Sequence, residues 1–153
     1  MKIRSVDTVL MEIRERLKVA LPQVITELNN ERTDFELRQI APQFFVLNVV
    51  EGLNAQEFLL LLGTLADTKN AGRIMVESLM LDVFVGFMPE NYATPEQAMC
   101  ASYRYQAALK VAFQRINLPY GEIRYVGAEP PGSMRVENKA LYGAMLQYDI
   151  QLH

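Results

Sequence analysis

The chain has 153 residues, of which 50% are hydrophobic, so its length and composition fit one globular unit with a real core. The formal charge is −3, from 15 Lys+Arg against 18 Asp+Glu, and no basic block is present to neutralise a run of phosphates. This argues against direct nucleic-acid binding. The single cysteine, Cys100, excludes an internal disulfide and fits a reducing compartment, where it is expected to behave as a small buried hydrophobe.

The first residues, Met1-Lys2-Ile3-Arg4, turn amphipathic without the apolar core of a signal peptide. Nor does the chain contain about 18 consecutive apolar residues, so no membrane span is expected and a cytoplasmic location follows. Val6, Val9, Leu10, Ile13, Leu17, Ala20, Leu21, Val24 and Leu28 then keep helical spacing, which predicts an amphipathic helix over Ser5 to Asn29. Pro22 interrupts that pattern by removing a backbone donor. The stripe continues in phase across it, leaving a kinked helix and two separate helices equally open.

After the polar run Asn29 to Asp34, the aromatic and β-branched stretch Pro42 to Val50 reads as a strand, and Glu51-Gly52-Leu53-Asn54 as a turn. Phe58 to Leu62 is read as a strand in preference to a short helix, because its leucines lack helical periodicity. Asp67 to Gly72 resembles a hairpin loop. From Arg73 to Phe87, Leu79, Leu81, Val83, Val85 and Phe87 alternate with Met80, Asp82, Phe84 and Gly86, which predicts a long strand. Met80 and Phe84 make its second face partly apolar, so a helix or a neighbouring subunit is expected to cover part of it.

Thr94-Pro95-Glu96-Gln97 carries the signature of a capping box with proline at the first helical position. Ala98, Ala101, Tyr105, Ala108, Leu109, Ala112 and Ile116 follow at helical spacing, so a helix is predicted over Thr94 to Ile116. Its alanine side faces the sheet, while Arg104, Lys110, Gln114 and Arg115 point to solvent. Asn117-Leu118-Pro119 ends it. Tyr120 to Gly127 reads as a strand. Gly127 to Met134, with Pro130-Pro131 and two glycines, is expected to be a loop because prolines lack ladder donors. Tyr142 to Leu152 alternates as a closing strand, expected to be paired inside the sheet. The expected class is α+β, with helices packed on one face of a largely antiparallel sheet in the order helix, strands, helix, strand, strand, and one domain over residues 1–153.

Chemistry is sparse. With one histidine, His153, at the end of the chain, a zinc site and His-dependent nucleophilic catalysis lack their ligands or base. No phosphate loop or dinucleotide fingerprint occurs. Glu77, Asp82, Glu122 and Asp149 are the acids that interrupt predicted strands, and a charged strand residue is more often on a solvated face than catalytic. Tyr103, Arg104 and Tyr105 read as a packed helix shoulder and not as a stacking platform. No catalytic, cofactor-binding or metal residue is assigned, and no cofactor is expected. The stronger signal is surplus apolar surface: eight methionines, seven tyrosines and a strand apolar on both faces favour subunit contact.

The leading helix, the strand Arg73 to Phe87, the helix Thr94 to Ile116, the turn-rich segment Gly127 to Asn138 and the closing strand Tyr142 to Leu152 together resemble the tail terminator (tail completion, minor tail) proteins of tailed bacteriophages. The resemblance lies in the order and length of elements, closest from Arg73 onward, and transfers no individual residue. It implies a non-enzymatic virion protein, assembled in the host cytoplasm, that forms a homo-oligomeric ring of six subunits. Such a ring caps the tail tube, ends its polymerisation and presents a docking surface to the head connector. The implied partners are copies of itself, the tail-tube protein and the head-connector protein, with no sequence-specific nucleic-acid contact and no membrane. A head-to-tail connector component of the same particle, and a small carboxylate-using enzyme or ligand-binding α+β domain, are the alternatives.

Overall fold

The computed structural model describes residues 5–47, 56–71, 74–136 and 139–153. Helix α1, Val6–Glu31, runs unbroken through Pro22, which decides between one helix and two. The Thr26 hydroxyl and the Gln39 amide both donate to the Pro22 carbonyl. Val9, Ile13, Leu17, Leu21 and Ile25 form the buried stripe. The chain then follows an irregular path to a 3₁₀ turn, Pro42–Phe44, and a two-residue strand β1, Phe45–Val46. Of the strand expected over Pro42 to Val50, Pro42–Phe44 is a turn of 3₁₀ helix behind the extended Ala41, Phe45–Val46 is strand, and residues 48–50 lie outside the described residues. The expected turn at 51–54 lies outside the described residues.

Strand β2, Phe58–Ala71, and strand β3, Ile74–Phe87, pair antiparallel. The loop expected over Asp67 to Gly72 is strand as far as Ala71, and Gly72 lies outside the described residues. After a register shift between Ala66 and Lys69, the ladder resumes through Lys69↔Val76 and closes at Ala71↔Ile74. Helix α2, Pro95–Arg115, begins as its sequence predicts: the Thr94 hydroxyl accepts from the Gln97 N–H at 3.1 Å, and the Gln97 side chain accepts from the Ala93 N–H at 3.3 Å. These bonds occupy donors that a helix start leaves open.

Strands β4, Gly121–Val136, and β5, Lys139–Leu152, complete a five-stranded sheet of order β1-β2-β3-β5-β4. The closing strand β5 is interior, paired to β3 on one side and β4 on the other. The predicted loop over Gly127 to Met134 is instead part of β4. Two features reconcile Pro130-Pro131 with a ladder. First, β4 is an edge strand, so a missing donor on its outer side costs nothing in the sheet. Second, the register passes from Glu129↔Met145 to Gly132↔Gly143, three steps on β4 against two on β5, so the prolines sit in a bulge. Another bulge separates Tyr125 from Gly127.

The fold is α+β, with β1 parallel to β2 and every other pairing antiparallel. Both helices pack on one face of the sheet. Leu59, Leu61, Leu81, Val83, Ile150 and Leu146 lie beneath them and join one core with the helix stripes. A side chain at Gly63 would collide with Val6 and crowd Leu10, so glycine lets α1 approach the sheet. Phe113 stacks on Tyr148 with ring centroids 4.1 Å apart, and Phe87 meets Tyr105 at 5.6 Å, so α2 is docked by aromatic pairs as well as by its alanines.

Candidate interaction surface

Strand alternation decides what the helix-free face carries. Opposite the buried set of β3 stand Met80, Asp82 and Phe84, all half-buried. The register sets Thr64, Leu62 and Leu60 beside them on β2, and Asp149, Gln147 and Met145 on β5. Phe58 and Phe84 lie 5.9 Å apart and spread over Gly86 and Gly143, where an added side chain would overlap their rings. The glycines therefore let two aromatic rings lie flat on the sheet. Both helices lie on the other side, so of the two covers expected for the second face of β3, a helix or a neighbouring subunit, the helix is not the one found. Leu62 is 46% exposed.

Of the four strand acids, the register sets Asp149 diagonal to both Asp82 and Glu122 and leaves Glu77 apart. Glu77 is exposed and shares its side of β3 with Leu79, away from Asp82. Asp82, Asp149 and Glu122 occupy the helix-free side, but each is provided for differently. Asp149 accepts a hydrogen bond from the Ser78 hydroxyl, Glu122 pairs with Arg124 at 3.0 Å, and Asp82 stands opposite Gln147 and Leu62. Pairing with Glu122 holds the Arg124 guanidinium above its ordinary value. Among the described residues no group of three or more His, Cys, Asp or Glu is placed to hold a metal ion.

Other predicted positions moved. Cys100 is exposed and not buried, since it falls one position off the alanine stripe. Arg104 is 8% exposed and does not point to water: its guanidinium lies 3.9 Å from the Phe35 ring centre, bonds Asp34 at 2.7 Å and donates to the Phe35 carbonyl. That bond holds the Asp34 carboxyl below the usual carboxylate range. Tyr103 is exposed and Tyr105 fully buried. His153 is exposed, and its backbone N–H donates to the Tyr120 carbonyl at 2.9 Å.

Sequence reasoning did not single out Glu57, a carboxylate only 3% exposed at the entrance to β2. Asn91 donates to it at 3.0 Å and Arg38 stands 3.9 Å away. Next to this pair the Tyr105 hydroxyl donates to the Arg38 carbonyl at 2.7 Å and lies 3.1 Å from the Tyr92 hydroxyl. Burial pushes both phenols above their ordinary range, Tyr105 well above it. The cluster joins the irregular segment after α1, the start of β2, the turn before α2 and α2 itself. Its members are separated by up to 67 positions, so no local spacing signals it.

Between the helices lies a groove of about 280 Å³, floored by Val24, Leu28, Ala108 and Val111 and rimmed by Glu27, Glu31 and Arg115. Arg115 pairs with Glu27 at 2.7 Å, which lowers the carboxyl and raises the guanidinium from their ordinary values. None of Glu77, Asp82, Glu122 or Asp149 lines it. Among the described residues no helix is long and apolar enough to cross a membrane. No protein-family model and no curated protein sequence matches the chain.

Proposed function

We propose that this chain is a structural protein of a phage or prophage tail. It assembles into a ring, six copies in the reading that the resemblance implies, which caps the tail tube, ends its polymerisation and docks the head. The observation that carries the reading is the order of elements, α1, the long β2-β3 pair, α2, then edge strand β4 and β5 closing inside the sheet. The helix-free face supports it, because Leu60, Leu62, Phe84 and Met145 place apolar surface where a second copy can cover it. A ring requires a contact that joins two different patches and whose rotation closes.

The test is light scattering on the purified full chain across concentration, with binding to tail-tube protein measured alongside. A closed oligomer that binds the tube is the expected result. A strict monomer at high concentration that ignores the tube overturns the reading, and binding to the portal side alone reassigns the chain to the head connector. Leu62→Glu changes an exposed side chain and is expected to alter fold stability by no more than about 0.5 kcal/mol. It should nevertheless shift the oligomer towards monomer if the helix-free face is the subunit contact.

A further inference from the structure

We draw no further inference here: the strongest candidate, the helix-free face of the sheet around Leu60, Leu62, Phe84 and Met145, is the surface already used for the proposed assembly, and nothing in the structure shows what else covers it.

Discussion

Tyr105 and Tyr148 are both buried phenols, yet their hydroxyls have opposite standing. Tyr105 donates to the Arg38 carbonyl and meets Tyr92, whereas the Tyr148 hydroxyl has no hydrogen-bond partner among the described residues. A buried polar atom without a partner carries its full desolvation penalty, and a paired one recovers most of it. The same chemical change should therefore act with opposite sign. Tyr105→Phe is expected to destabilise by about 1–2 kcal/mol, and Tyr148→Phe to be neutral or to stabilise by up to about 1 kcal/mol. Urea unfolding of the two variants beside the parent checks both, and equal losses would contradict the assignment. The Arg104–Asp34 pair yields a second expectation. The Asp34 carboxyl is held low by its guanidinium partner, so its contribution is complete above the ordinary carboxylate value and is lost as pH falls through the lower folded value. Stability should decline below about pH 4, and Asp34→Asn should flatten that decline in unfolding curves taken from pH 7 to pH 3.

At the level of elements, β4 shows how a strand keeps two adjacent prolines. At Glu129, the last residue in register before the bulge, the Gln106 side chain from α2 donates to the backbone carbonyl at 2.7 Å and also to the Met145 carbonyl at 3.4 Å. One amide thus fastens the helix to the irregular part of the edge. Gln106→Met keeps the length of the side chain but removes the donor, at an expected cost of about 1 kcal/mol. Hydrogen exchange should quicken at the amides on either side of the bulge and stay unchanged in α1. Uniform quickening across the chain would show that Gln106 acts on global stability and not on the bulge. The bulges also break the outer edge of β4 into short pieces, a feature that opposes unplanned edge-to-edge pairing. The faces of the sheet are then the better candidates for contact between copies.

Across the whole molecule, the buried phenols set an alkaline limit. Burial raises Tyr92, Tyr105 and Tyr148 above the ordinary tyrosine value of about 10. For a group whose folded value is raised, the contribution is complete below the unfolded value and fades as pH climbs between the two. Stability should therefore hold at neutral pH and fall above about pH 10. Ultraviolet titration should show Tyr92, Tyr105 and Tyr148 resisting ionisation until the chain unfolds. If these three ionise near the ordinary value while the fold is intact, their burial is wrong.

How much of this was legible without coordinates follows from the range of the forces involved. The capping box at Thr94, the alanine stripe of α2, the alternation of β3 and β5 and the α+β class are all written in residues within a turn or a pleat of one another, where period and local hydrogen bonding decide the outcome. The burial of Arg104 was not legible, because it depends on Asp34 and Phe35 some 70 positions away. Glu57 is buried for a similar reason, as Asn91 lies 34 positions on. The prolines of β4 read locally as a loop, and only the position of that strand at the edge of the sheet, with a bulge opposite β5, makes them compatible with a ladder. Local patterning was enough for the elements themselves. Their neighbours, and hence the apolar face left uncovered, required the three-dimensional packing, because a strand does not specify which of its two sides a distant helix will take.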